Sequence, residues 1–233
     1  MTAAAEHPTP IRAILFDVGG PLDTEEQSER YIDGKIRESL AEAGIAVSAE
    51  EYAAANEWAV ASFAPDTYAA IIWRLCAGRV DLASRIREQG FPGRAFQMRE
   101  GMAGIIQGLA ARGLLLGLAA NQPANVLGEL DRFGIGEHFT PREVSGHHGF
   151  RKPDVRLFLR ACDDLGVVPE ECIMVGDRID NDIAPARMLG MRTVLFRTGR
   201  HALQQPRWWR EVPDAEVRTT GDLTTALDLL LGS

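Results

Sequence analysis

Three aspartates stand where apolar runs of the chain give way to loops and a lysine occupies a further loop, and their types suit metal-assisted phosphoryl chemistry. Asp17 directly follows the run Ala13–Phe16, and Asp177 follows Cys172–Val175 after a single glycine. Asp182 comes shortly after Asp177, and Lys152 occupies a separate loop ahead of Pro153. A carboxylate at the end of a buried strand is costly unless a cation or hydrogen bonds compensate it. Carboxylate oxygens with room for waters and a phosphate form a typical Mg2+ site. A cation held there would neutralise a phosphate and let a carboxylate attack it.

These residues need rigid elements behind them. The runs Ala13–Phe16, Leu114–Ala119, Cys172–Val175 and Thr193–Phe196 are almost uninterrupted apolar segments, and Ala215–Thr219 is a weaker fifth. Strands apolar on both faces belong in a mostly parallel sheet covered on both sides by crossover helices. The intervening segments have helical periodicity, as in Met102, Ile105, Ile106 and Leu109, in Val155, Phe158, Leu159 and Cys162, and in Leu223, Ala226, Leu227 and Leu230. Gly113, Gly166 and Gly190 stand where left-handed C-terminal caps are expected. Alternating strand and helix predict an α/β fold with a doubly wound parallel sheet. In such a sheet ligands bind at the carboxyl ends of the strands, which is where Asp17 and Asp177 fall, while Lys152 sits in a third loop ahead of a helix.

Between the first strand and residue 100 the pattern is helical only. Ile32, Ile36 and Leu40 form one stripe, and further helices are expected over 58–63, 68–75 and 80–88. The organisation expected is a Rossmann-like core of residues 1–22 and 100–233 with a helical cap over 23–99. Trp58, Phe63, Tyr68 and Trp73 are read as the cap's own core, and Trp208-Trp209 as loop residues packed on the main body.

The chain has 233 residues, 45% hydrophobic and 25% charged, in the range of an ordinary globular protein. Its net charge of −8 argues against general nucleic-acid or anionic-membrane binding, both of which need a positive field. No apolar run approaches the ~20 residues needed to cross a bilayer. The N-terminus through Pro8 has neither a basic start nor an apolar stretch, so no secretory signal is expected. Cys76, Cys162 and Cys172 fall in no metal-ligand spacing and read as buried thiols of a cytoplasmic protein. Of 25 basic residues only Lys35 and Lys152 are lysines, so any mechanism needing a lysine has two candidates.

The order of these elements resembles the haloacid dehalogenase-like hydrolase superfamily. Its phosphatases carry a D-x-D-G-T/V-L motif, a Ser/Thr after the second strand, a Lys before a Pro, and G-D-x4-D. The resemblance covers residues 10 to 231, with Arg151-Lys152-Pro153-Asp154 and Val175-Gly176-Asp177 through Asp182 its specific pieces. It implies a Rossmann-like core with a helical cap and Mg2+ as cofactor. Asp17 would be the nucleophile, forming an aspartyl-phosphate, and would also ligate the metal. Lys152 would bind the phosphoryl group and hold Asp17. Asp177 would be the second metal carboxylate, Asp182 a ligand or orienting group, and the Gly19 carbonyl a further ligand. Asn121 would donate to phosphate, and the expected partner is a small phosphorylated metabolite; the oligomeric state is left open.

Two departures from the family pattern matter. The general acid/base aspartate falls at Gly19, and the phosphate-binding hydroxyl at Ala120. General acid/base catalysis contributes roughly 10²–10⁴ in rate, or ~3–5 kcal/mol of barrier. Pro21 also removes a backbone N–H from the loop. Asp23, His147 and His148 are the candidates to substitute, although Asp23 also reads as a hinge or helix-cap residue and the histidines as exposed loop. One reading is a hydrolase of small phosphate esters; the other is a catalytically impaired member that binds a phosphorylated ligand or a protein partner. A Schiff-base phosphonoacetaldehyde hydrolase would need a cap lysine, and Lys35 is poorly placed for one. Asp177 argues against a haloacid dehalogenase, and the chain's length against a receiver domain.

Overall fold

The computed structural model describes residues 9–91 and 96–232. The N-terminal stretch read for a signal lies outside the described residues, as do the outermost parts of the expected core and a short piece of the expected cap. Six parallel strands form one sheet: β1 (Ala13–Phe16), β2 (Leu115–Ala120), β3 (Phe139–Val144), β4 (Cys172–Gly176), β5 (Arg192–Phe196) and β6 (Ala215–Val217). Their order is β3-β2-β1-β4-β5-β6. The chain first winds from β1 toward β3 and then restarts on the other side at β4, so the switch point lies between β1 and β4.

Alternate residues of each strand feed opposite layers. Ile14, Phe16, Leu118, Ile173 and Val175 pack with Met102, Ile106 and Leu109 of α5 (Met102–Ala111) and Leu223 and Leu227 of α9 (Thr220–Leu231). Ala13, Leu15, Cys172 and Met174 pack on the other face with Phe158, Ala161 and Cys162 of α7 (Arg156–Leu165) and Ala186 of α8 (Ala184–Met188). The doubly wound α/β architecture expected from the apolar runs is the one observed. Gly113, Gly166 and Gly190 have φ of 81°, 65° and 88°, the left-handed conformation that ends a helix.

Two elements have no counterpart in the sequence reading. β3 lies at the sheet edge, where polar positions and Pro141 interrupt the apolar run. The short helix α6 (Val126–Arg132) buries only Val126 and Leu130 among its residues, too few for a periodic stripe.

Between β1 and α5 the insert forms α1 (Glu26–Glu42), α2 (Ala49–Ala61), α3 (Thr67–Leu75) and α4 (Val80–Glu88). Ile36, Leu40, Ala59, Ile71, Ile72 and Ile86 make a hydrophobic cluster of its own. Ser48 and Glu51 form a reciprocal capping box on α2, and the Asp66 carboxylate accepts from the Ala69 N–H at the start of α3. The two crossings to this insert run side by side: Thr24 N–H donates to the Gln97 carbonyl (3.0 Å) and Arg99 N–H to that of Leu22 (2.8 Å).

Four aromatic residues differ from expectation. Trp73 is 49% exposed and stacks on Trp58 from outside the insert's core rather than lying within it. Phe63 leaves the insert's cluster and packs on Ile179, Ile183 and Leu195, joining insert to sheet. Trp208 and Trp209 are 46% and 65% exposed rather than packed on the core. Their turn is anchored instead by Glu211, buried and paired with Arg207 at 2.5 Å, which leaves the indoles outside.

Candidate active site

Strands β1 and β4 are direct neighbours, with Phe16 opposite Val175, so the residues that leave their carboxyl ends meet. The Asp17 N–H donates to the Val175 carbonyl at 2.8 Å, which sets Asp17 beside Asp177 at the switch point. Beyond Asp177 the chain makes a wide turn over Ile179–Ile183 that folds Asp182 back onto the strand end. Gly176 allows that return, because a side chain there would run into the Asp182 carboxylate. Gly20, at φ of 81°, likewise leaves room for Asp177, whose Cβ lies 2.6 Å from where a Gly20 Cβ would stand.

Lys152 enters from the loop after β3 and is 2% exposed. Its Nζ is 2.5 Å from Asp182 Oδ1 and 3.0 Å from Asp17 Oδ1. Asn121, just after β2, accepts from the Lys152 N–H at 2.7 Å and donates to the Lys152 carbonyl at 2.9 Å. The amide expected to meet phosphate thus clamps the lysine's backbone, keeping one of its two amide hydrogens for another acceptor. Asp182 accepts from Lys152 on Oδ1 and from the Arg178 N–H (3.0 Å) on Oδ2, the bonding of an orienting group.

Oxygens of Asp17, Asp177 and Asp182 lie within 4.8 Å of one another, and all three residues are buried. One ammonium faces them. Burial raises the Asp17 carboxyl to about 6 against the pull of Lys152, and burial with Asp182 and Asp17 raises that of Asp177 well above the usual range. Burial alone would lower the Lys152 ammonium, but Asp17 and Asp182 outweigh it and its pKa is raised. Buried oxygen ligands in excess of their counter-charge are a donor set that fits a hard divalent cation.

The cluster opens into a cleft of about 850 Å3 between the sheet rim and the insert. Asp17, Gly19, Asn121 and Asp177 line it, together with Tyr68, Arg178 and Arg200. Of the suggested substitutes for the missing acid/base, Asp23 also lines the cleft. Its Oδ1, however, holds the N–H groups of Glu25 and Gln97, both at 3.0 Å, which ties the two crossings together. His148 is paired with Glu143 and stacks on Phe150, and His147 is exposed; neither histidine is among the residues that line the cleft. Asp180, between Asp177 and Asp182, is half-buried and paired with Arg178 at 2.6 Å.

The sequence reading missed Glu25. A Cβ built on Gly19 would stand 2.8 Å from Glu25 Cδ, Oε1 and Oε2 alike, so this carboxylate fills the space that the glycine vacates. Glu25 has φ of 55°, a left-handed conformation that costs about 1 kcal/mol or more for a residue with a side chain. Burial, then Asp17, Asp23 and Glu29, push its carboxyl up to about 8, with a Gln122 hydrogen bond opposing them. Arg99 was also missed: it donates to the Gly20 carbonyl (2.6 Å) and the Thr198 hydroxyl (2.8 Å), fixing the loop after β1. The available clue to Glu25 was the side chain absent at Gly19.

Comparison with known proteins agrees with this geometry. Residues 149–223 match the HAD-hyrolase-like family. The glyceraldehyde 3-phosphate phosphatase of Methanopyrus kandleri is 42% identical over 89 residues, 38% of this chain and 38% of that protein's length. The chain thus spans well under half the length of the curated relatives it matches. A predicted phosphoglycolate phosphatase from Haemophilus somnus shares the fold at a TM-score of 0.70 and 19% identity, over 93% of this chain and 98% of that one. YfnB of Bacillus subtilis, solved bound to magnesium, does so at 0.60 and 18%, over 96% and 100%. In its sheet order, in the motif residues gathered on one rim and in the family match over residues 149–223, the chain is similar to the haloacid dehalogenase-like hydrolases.

Proposed function

We propose that the protein hydrolyses small phosphate esters in a Mg2+-dependent reaction through an aspartyl-phosphate on Asp17. The observation that carries this reading is the buried cluster of Asp17, Asp177 and Asp182, with Lys152 paired to Asp17 and Asp182, beneath an open cleft that Asp17 and Asp177 line. Asp17, Asp177 and the Gly19 carbonyl would hold the cation, with Asp182 completing the acidic set. When bound, Mg2+ supplies positive charge that offsets the phosphate's own and orients it.

The Val18 N–H (2.8 Å) and Lys152 both hold Asp17 Oδ1, so we assign the attack on phosphorus to Oδ2. Two of the three Lys152 ammonium hydrogens are directed to Asp17 and Asp182, and the third serves the phosphoryl oxygen. Asp182 keeps the ammonium in place, and Asn121 keeps the loop that carries it. The remaining Asn121 amide hydrogen would add a phosphate donor where Ala120 has no hydroxyl. We assign residues 23–99 as a cap over a core of 1–22 and 100–233, with a small phosphorylated metabolite entering between them. Three buried free thiols support a reducing compartment, the cytoplasm, and no helix among the described residues is long and apolar enough to cross a membrane.

Phosphate release from a panel of alkyl, aryl and acyl phosphates, with and without Mg2+, tests the reading. Release is expected only with the cation and is abolished in Asp17→Asn, which keeps the shape but not the nucleophile. Undiminished release from Asp17→Asn would remove Asp17 from the mechanism. Phosphate binding without release from any ester would favour a binding protein.

A further inference from the structure

Gly19 poses a chemical problem. Attack by Asp17 on a phosphate ester expels an alkoxide that needs a proton, and hydrolysis of the aspartyl-phosphate needs a base to activate water. The position from which a side chain two residues past the nucleophile would do both has no side chain of its own. It is nevertheless filled, because Glu25 Cδ, Oε1 and Oε2 all lie 2.8 Å from the point where a Gly19 Cβ would be.

We propose that Glu25 is the general acid and base of this site, delivering across space the carboxyl group that Gly19 cannot carry. This rests on the reading of Asp17 as nucleophile. Three further observations support it. Glu25 and Asp17 line the same cleft. Glu25 is held in a left-handed backbone conformation, φ 55° and ψ 0°, although an ordinary helix start would satisfy α1 without that cost. The strain is locked in by Asp23 Oδ1, which accepts the Glu25 N–H at 3.0 Å and the Gln97 N–H at 3.0 Å. Asp23 is therefore a positioning residue, and its carboxylate is occupied with that task. As residue N-terminal to α1, Glu25 also ties the chemistry to the insert, whose movement would carry the carboxyl toward or away from the phosphate.

The steps balance. An Asp17 oxygen forms a bond to phosphorus as the bond to the ester oxygen breaks, and the Glu25 proton passes to that leaving oxygen. The Glu25 carboxylate then takes a proton from water as the water oxygen bonds to phosphorus. The Asp17–phosphorus bond breaks, and Asp17 returns as a carboxylate, phosphate departs and Glu25 is again protonated. No other reactant is needed.

A carboxyl acting as acid is distinguished from a merely structural one by leaving-group dependence and by relocation. In Glu25→Gln, kcat/KM for the alkyl ester turned over fastest in the panel is expected to fall ~10²–10⁴-fold, and for 4-nitrophenyl phosphate no more than about tenfold. The aspartyl-phosphate should accumulate with the aryl ester, detectable as a phosphoryl mass increment, because the base for its hydrolysis is gone. Glu25→Ala clears the space at Gly19, so the Gly19→Asp/Glu25→Ala double variant should recover alkyl-ester turnover by about tenfold or more over Glu25→Ala. Equal loss on both esters, or a Glu25→Gln variant with undiminished alkyl turnover, would overturn the role of Glu25 while leaving Asp17 in place. So would an unmodified chain that is inactive on alkyl esters while the double variant is active. Absence of release from every form and every ester would overturn both readings together.

Discussion

Replacing Lys152 by methionine keeps the unbranched stem of the side chain and removes the charged terminal nitrogen. The ammonium is 2% exposed and lies 2.5 Å from one buried carboxylate and 3.0 Å from another, so nothing in solvent can take its place. Removing one partner of a buried ion pair costs ~3–5 kcal/mol, because the remaining charge stays desolvated and uncompensated. For a chain of this size, 1 kcal/mol corresponds to about 2–4 °C in Tm, so the expected fall is about 6–20 °C. The measurement is thermal and urea unfolding in the presence of a chelator, with the urea midpoint moving at constant slope. A second arm adds Asp182→Asn, which removes the stranded charge and keeps an oxygen for the Arg178 N–H. The double variant should be more stable than Lys152→Met alone by about 1 kcal/mol or more, a coupling within the range for contacting residues. A loss below about 1 kcal/mol in Lys152→Met, or no recovery on adding Asp182→Asn, would refute the description of Lys152 as counter-ion to a buried acidic cluster.

Two further outcomes follow from the same geometry. Without metal, the raised carboxyls of Asp17 (about 6) and Glu25 (about 8) bind protons more tightly in the folded state than in the unfolded one. Their stability contribution is therefore full below the ordinary carboxylate range and is lost as pH climbs through 6 toward 8. Added Mg2+ should accordingly stabilise the fold more at pH 8 than at pH 5, by up to ~2.7 kcal/mol at a hundredfold excess over Kd and read as a larger rise in Tm; an equal rise at both pH values would count against Asp17 as its ligand. Arg200, from the loop after β5, bonds Asp33 at 2.8 Å, Tyr68 at 3.4 Å and the Asn56 side chain, three groups on three helices of the insert. Arg200→Met should cost ~2–3 kcal/mol and increase hydrogen exchange in α1 to α3 more than in the sheet; uniform exchange across the chain would show that Arg200 does not brace the insert.

Much of the site was legible in the chain because local sequence governs it. A run of apolar residues buried on both faces specifies a strand, and the first polar residue beyond it must lie at the strand's end. Asp17 and Asp177 were found in this way, Lys152 by its place in the Arg151-Lys152-Pro153-Asp154 loop, and the parallel neighbours β1 and β4 bring the two aspartates together. The edge strand β3 was not found, because one rim of a sheet need not be apolar and tolerates proline. The exposed Trp208 and Trp209 were misjudged for a related reason. Hydrophobic type says what a residue would gain by burial, whereas a salt bridge two residues away decided where the turn points.

Glu25 marks the other limit. No spacing links it to Gly19, since its carboxylate arrives through a left-handed residue, an aspartate that pins its N–H, and two crossings paired side by side. Asn121 is similar: its type suits a phosphate donor, yet only the packed loops show its amide bound to the Lys152 backbone. Strand ends are set by hydrophobic patterning over a few neighbouring residues, which the chain carries locally. What fills a vacated side-chain position is set by close packing among segments distant along the chain, and that is settled only when they fold against one another.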